Sequence, residues 1–469
     1  MNYRKLPRFK STPKSISAIS RVAAMAAMIA GATMLLCMPA SAKTKAAPQP
    51  QVGDVLIAGG LASGGSATSS AEFYSVAKRK FFATGSMSTA RAGHQMAWMP
   101  QSPERTVDHG VAVGGFAGSA TITGASSISY TMNVLSSAEV YTLSTGSFAV
   151  DSVPLSNGRA FFAAVALPGN LPTDFLQGHL LMIGGICNAG DLESCRTADI
   201  LHPDDDDITA TSNPKTPAMM ETLTYLADGT ALMAGGIDDF AGDITNTAEV
   251  FTPSNEFFNP VTATMNVGRA GHTATRLSDG TVLIAGGITN NSGVMNALNS
   301  AEIYDPAAQT FTAVPATMIA ARVGHTATLL KDGRVLIAGG FNGTFTFSLT
   351  GASDGATLTF ADISGGLLNT AEIYDPATKT FKPVGGIVKK TGLPKAAMKS
   401  ARFYHTATLL SNGKVLFAGG LGPDSSGIGE LNTGELFTAN ANRNTLGAFA
   451  KTPAMISGRA LHTAVAIEQ

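Results

Sequence analysis

The sequence predicts an all-β fold of four-stranded antiparallel sheets repeated around an axis, a seven-bladed β-propeller. Three observations carry this. One unit is rewritten along the chain, paired glycines close its second strand each time, and the two ends of the chain hold complementary fragments of a single unit. The clearest copy opens with Arg-Ala-Gly-His-Thr-Ala-Thr (269–275), turns at Asp279-Gly280 and continues as Thr-Val-Leu-Ile-Ala-Gly-Gly (281–287). A polar loop then leads to Ala-Glu-Ile-Tyr-Asp-Pro (301–306) and the unit closes on Thr310-Phe311-Thr312. Self-similarity of this kind is the signature of a repeat architecture.

Each unit reads as four short strands. His272–Leu277 and Val282–Ala285 are Thr/Val/Leu/Ile-rich runs flanking Asp-Gly, a two-residue hairpin signal. Glu302–Tyr304 supplies a third strand ended by Pro306, and Thr310–Val314 a fourth. A sheet with two apolar faces cannot bury both alone, whereas copies stacked around an axis do. The Gly-Gly pair removes side chains where backbones crowd and frees φ where the chain leaves the sheet. This pattern, paired glycines followed about a dozen residues later by a Glu and an aromatic, resembles the kelch repeat.

The second-strand Gly-Gly pairs fall at 59–60, 114–115, 184–185, 235–236, 286–287, 339–340 and 419–420, which gives seven units. The first copy begins at its second strand, Val55–Ala58, and the chain ends on Arg-Ala-Leu-His-Thr-Ala-Val (459–465), a first strand with no second. The closing blade is therefore expected to take its inner strand from the C-terminus and three strands from the N-terminus, leaving no open edge.

Composition agrees with a packed all-β protein. The 469 residues are 44% hydrophobic and 14% charged, with 51 glycines and a net charge of −1. That balance gives no basic footprint for nucleic acid, so none is expected as a partner. Residues 1–42 read as a signal peptide: Arg4, Lys5, Arg8, Lys10, Lys14 and Arg21 precede an apolar run, Val22–Cys37, and Ala40-Ser41-Ala42 offers a cleavage site. An uncleaved anchor is the alternative, and no later segment is apolar for long enough to span a bilayer. Residues 43–51 form a Lys/Ala/Pro linker and 52–469 the propeller, a monomer expected to be periplasmic or extracellular. After export Cys187 and Cys195 remain, eight apart in one loop. They are expected to form a disulfide, with free thiols or a soft metal site as alternatives.

Two repeated side chains invite assignment. Six third strands carry a Glu, and each is followed in the next unit by an Arg, giving expected inter-blade pairs Glu72–Arg91, Glu139–Arg159, Glu249–Arg269, Glu302–Arg322, Glu372–Arg402 and Glu435–Arg459. These are read as structural staples. His94, His272, His325, His405 and His462 share one position and should ring the axis, spaced too widely to share one metal.

Function in such a scaffold belongs to its variable loops. The longest that follow Gly-Gly, 116–137 and 341–370, are rich in Ser, Thr, Gly and aromatics, and they define a candidate ligand face carrying Tyr130, Phe345, Phe347, Phe360, Tyr404 and His405. The expected role is a binding scaffold for a protein or glycan, with no catalytic residues and no cofactor. The alternative is a secreted carbohydrate-active enzyme. Arg402-Phe403-Tyr404-His405-Thr406 resembles the Tyr-His ligand pair of the galactose oxidase-like copper oxidases, which implies Tyr404 and His405 on copper. The corresponding positions at Gly93, Gly271 and Gly324 lack the second tyrosine that this family uses, so copper is not expected. Kelch-bladed sugar mutarotases are a further possibility, with no motif here to place.

Overall fold

A computed structural model describes residues 48–469 apart from 100–108, 124–125, 152, 168–177, 188–194, 203–206, 217, 239–241, 353–354, 388–389, 391–394, 396, 425–426, 441–445 and 469. The expected signal peptide and most of the linker lie outside the described residues. Every element among the described residues is a β-strand. All recorded strand pairs are antiparallel, and seven four-stranded sheets follow one another along the chain in a β-propeller-like arrangement.

The fifth sheet shows the common plan. Thr273–Arg276 pairs with Val282–Ala285, which pairs with Ala301–Asp305, which pairs with Thr310–Ala313. The connection after the first strand differs from the expected two-residue turn. Leu277 and Thr281 still pair, leaving Ser278-Asp279-Gly280 as a three-residue loop, with Gly280 at φ +89° and Asp279 accepting the Thr281 N–H. Second strands such as Val55–Ala58, Val282–Ala285, Val335–Ala338 and Val415–Ala418 are buried along their whole length. They are covered on both faces, which is why they read as unbroken apolar runs rather than alternating ones. The core accordingly lies in layers between successive sheets, as where Leu283, Ala285 and Met318 meet Val335, Ile337 and Tyr374.

The third-strand aromatic has a fixed partner. Tyr74, Tyr141, Phe251, Tyr304, Tyr374 and Phe437 each sit opposite a phenylalanine of the fourth strand, at ring-centroid distances of 4.8 to 5.0 Å. Such directly opposed pairs pin the register of the outer two strands. At the chain ends, Thr463–Ala466 pairs along Val55–Ala58 from Val55↔Ala466 to Ala58↔Thr463.

Neighbouring sheets are joined through the arginines, but not in the expected pairing. The ion pairs are Arg91–Glu139, Arg159–Asp199, Arg269–Glu302, Arg322–Glu372, Arg402–Glu435 and Arg459–Glu72. Each arginine therefore meets the acid of the sheet it introduces, not the acid of the sheet it leaves. The reason lies in the backbone. The second glycine of the preceding sheet donates its N–H to the arginine carbonyl, as in Gly60 to Arg91, Gly236 to Arg269 and Gly287 to Arg322, each within 3.0 Å. That contact ties the arginine backbone to one sheet while the guanidinium runs into the next and also donates to the first glycine there, as Arg269 does to Gly286 O at 2.9 Å. A Cβ on Gly286 would lie 2.6 Å from the Arg322 carbonyl, so only glycine admits this approach.

The acid has a second task. Glu139 accepts the N–H groups of Ser88 and Thr89, and Glu302 those of Asn266 and Val267. It thereby closes the loop that leads into its own sheet. The fourth sheet shows that this task is separable: Ala218 stands where the arginine would be, and Glu249 still accepts from Lys215 and Thr216. The Glu249–Arg269 pair expected from the sequence is thus replaced by Arg269–Glu302.

Two outcomes follow from these junctions. A double-mutant cycle of Arg269→Met and Glu302→Gln, read by chemical denaturation, should show single losses of about 3–5 kcal/mol with strong coupling. The same cycle for Glu302 with Arg322 should be additive to within about 0.5 kcal/mol. Deleting Arg459 to Gln469 removes both the partner of Glu72 and the strand along Val55–Ala58, and should leave a protein without a cooperative thermal transition.

Candidate functional site

One position at the start of each inner strand sets the geometry near the axis. His94, His272, His325, His405 and His462 occupy it in five sheets, and in each the Nε2 shares a hydrogen bond with a threonine of the preceding sheet. The pairs are Thr463–His94, Thr222–His272, Thr273–His325, Thr326–His405 and Thr406–His462, at 2.8 to 3.1 Å. The third and fourth sheets place Phe162 and Glu221 there. Gln95 donates to the Phe162 carbonyl and the Ala163 N–H donates to Glu221 Oε1, so these two sheets are linked to their predecessors at the same position.

Burial sets the charge state of this ring. The histidines are driven below their ordinary value of 6.5, to about 3 at His272 and His462, by desolvation and then by the neighbouring arginine. Glu221 moves the other way, to about 8, because burial disfavours its carboxylate. Its Oε2 has no hydrogen-bond partner among the described residues. The sequence hid this residue because its unit lacks the arginine that marks the register. Counting back from Thr222 as the equivalent of Thr273 would have found it.

The residue before each ring position is held in the left-handed region. Gly93, Phe161, Met220, Gly271, Gly324, Tyr404 and Leu461 have φ between +52° and +60°. Backbone N–H groups here point to the carbonyl of the same position in the preceding sheet: Leu461 to Tyr404, Gly93 to Leu461, Phe161 to Gly93, Met220 to Phe161, Gly271 to Met220 and Tyr404 to Gly324. A left-handed backbone costs a non-glycine residue about 1–3 kcal/mol. Four bulky residues accept that strain, and all four are packed in the apolar cluster above the ring.

What covers this cluster is a second sheet. Hairpins Phe116–Thr123/Ser127–Val134, Ile288–Asn291/Val294–Ala297 and Phe341–Ala352/Gly355–Leu367 join edge to edge into one six-stranded sheet. They arise from the second, fifth and sixth units, and Leu358↔Tyr130 and Met295↔Phe345 mark their registers. Along Ser127–Val134, and within residues 344–350 and 357–360, apolar side chains alternate with Ser, Thr and Asn, so pairing turns one face inward and one outward. Tyr130, Met132, Phe345 and Leu358 are buried beneath it, while Thr131, Asn133, Asn342 and Ser348 are exposed.

The candidate face is therefore corrected. Its aromatics do not stand on an open surface but line the underside of a cap. Tyr130, Phe345, Phe360 and Tyr404 converge on a cavity of about 120 Å³, walled also by Phe341 and Phe403. Phe347 packs in the same cluster, over Gly242. His405 is not with them; it belongs to the axial ring, bonded to Thr326. Cys187 and Cys195 form a disulfide that closes the loop after Ile186.

No family model and no curated protein matches the chain. Among solved structures it is similar to one titled "Structure of YjhT", at 11% identity and a TM-score of 0.46, covering 72% of this chain and 97% of the other.

The ring makes a signed pH prediction. For the histidines, the unfolded chain binds more protons between about pH 3 and 6.5, so stability rises with pH across that window and is lost on acidification. For Glu221, whose folded value exceeds its ordinary 4.5, the stabilising contribution is complete below that value and is lost as pH rises toward 8. Glu221→Gln should therefore gain stability relative to the parent as pH is raised from about 5 to about 9, measured by urea denaturation.

Proposed function

We propose that the chain is an exported, seven-bladed kelch-type propeller that serves as a binding scaffold for a protein or glycan. Its contact surface is the outward face of the six-stranded sheet. One observation carries the reading: hairpins from three units far apart in sequence pool into a single sheet whose exposed side chains are mostly hydroxyls and amides, among them Thr121, Thr131, Asn133, Asn342, Ser348 and Thr350, beside the charged Asp362 and the apolar Val294. Hydroxyl and amide groups in rows give donors and acceptors together, the chemistry that sugar hydroxyls and peptide backbones accept. Support for seven closed blades comes from the seven four-stranded sheets, the pairing of Val55–Ala58 with Thr463–Ala466 and the axial contacts between successive sheets.

Export is supported by the basic and apolar N-terminus and by the disulfide. No helix among the described residues is long and apolar enough to cross a membrane. The near-neutral charge supports a partner other than nucleic acid. Copper has no part in this reading. His405 Nε2 lies 3.1 Å from Thr326 Oγ1, and the positions equivalent to Tyr404 hold Gly93, Phe161, Met220, Gly271, Gly324 and Leu461, with no second tyrosine.

The reading is tested by glycan-array binding of the mature protein beside a variant in which residues 343–365 are replaced by a short turn. Binding that the shortened variant loses is the expected result. Retained binding, or stoichiometric copper with oxygen consumption on a sugar, would reject it.

A further inference from the structure

Beneath the cap lies a site of different chemistry from its outer face. The cavity of about 120 Å³ is bounded above by Tyr130, Phe345 and Phe360 of the six-stranded sheet and below by Met220, Phe403 and Tyr404 from the axial strands. No charged side chain among the described residues lines it. An engineered apolar cavity of about 150 Å³ takes up a benzene-sized guest, so this space suits one small ring. The aromatic walls are set edge-on as well as face-on: Tyr130 and Phe360 meet at 86° with centroids 5.9 Å apart, and Phe345 and Phe360 at 83° and 5.2 Å. A flat guest can thus meet ring edges and faces at once.

One of the lining residues carries a buried polar group. Tyr130 is 1% exposed, and its hydroxyl has no hydrogen-bond partner among the described residues. A buried hydroxyl left without a partner is a standing cost that an acceptor on a guest would relieve. Burial also holds the Tyr130 and Tyr404 phenols protonated, by pushing both above their ordinary value. They can therefore donate. Building the floor takes strained backbone, since Met220 and Tyr404 are held at φ +60° and +52°. Strain of this kind persists where the surrounding structure fixes it, and it gathers at ligand sites.

We propose that this cavity binds a small, uncharged, single-ring molecule bearing one hydrogen-bond acceptor, which the Tyr130 hydroxyl engages. A carboxylate would be stranded without a counter-charge, and a sugar would leave most of its hydroxyls unpaired. The site goes beyond the scaffold role and does not depend on it, because the two faces of the cap differ in chemistry.

The test uses the purified mature protein with acetophenone as probe, beside ethylbenzene, benzoate and glucose, by calorimetric titration and thermal shift. Acetophenone should bind and raise the melting temperature. Ethylbenzene, which lacks the acceptor, should bind roughly tenfold more weakly, equivalent to about 1.4 kcal/mol. Benzoate and glucose should not bind. Tyr130→Phe removes only the hydroxyl, and should bring acetophenone down to ethylbenzene while leaving ethylbenzene unchanged. Failure of both neutral aromatics to bind the parent, or an acetophenone preference that survives in Tyr130→Phe, would overturn the proposal. Glycan binding to the outer face without aromatic binding would overturn the cavity site alone and leave the scaffold reading in place.

Discussion

Six junctions between sheets depend on an arginine that belongs to two of them. Its carbonyl receives an N–H from the preceding Gly-Gly pair, and its guanidinium enters the following sheet to meet a buried carboxylate. A buried ion pair of this sort is weak as a source of net stability, because desolvating both charges offsets their attraction. Its value here is positional. A planar guanidinium that donates at once to a glycine carbonyl, a serine or threonine and a carboxylate fixes the angle at which one sheet leaves the next. The acid in turn holds the loop that delivers the arginine, so each junction specifies itself. Where Ala218 replaces the arginine, the acid and its loop remain.

From that repeat follows the geometry near the axis. Equivalent residues in successive sheets must recur at fixed spacing, so each histidine finds a threonine of the preceding sheet and six of the seven left-handed residues find the carbonyl of the same position there. A ring so constrained tolerates substitution only by groups that keep the link. Phe162 does so through its backbone and Glu221 through its side chain. The buried carboxyl of Glu221 and the buried neutral histidines place opposite pH dependences in one ring.

Above the ring, the cap resolves what the inner strands leave unfinished. Phe161, Met220, Tyr404 and Leu461 present large side chains where other sheets have glycine, and they pack into the apolar cluster that includes the six-stranded sheet, Leu461 buried and the other three partly so. Glycine at Gly324 leaves space that the Phe403 ring fills, since a Cβ there would lie 2.2 Å from it. The large residues come in neighbouring pairs, Phe161 with Met220 and Tyr404 with Leu461, and the glycines between them leave room for one apolar layer to pack. The cap does not fill that layer completely, and the remaining space is the apolar cavity.

How much of this was legible depends on range. The four-strand plan, the Gly-Gly pairs and the complementary chain ends follow from period and hydrophobic pattern, because each unit repeats the same local chemistry. The aromatic character of the loops at Tyr130, Phe345 and Phe360 was equally plain. Which carboxylate each arginine meets was not. Sequence order places Glu302 between Arg269 and Arg322, and only the path of the guanidinium decides between them. Nor could the sequence join hairpins separated by more than two hundred residues, such as Tyr130 opposite Leu358. Pairing between distant strands is set by where the scaffold delivers them, and that placed the aromatics of the candidate ligand face against the inner side of one sheet.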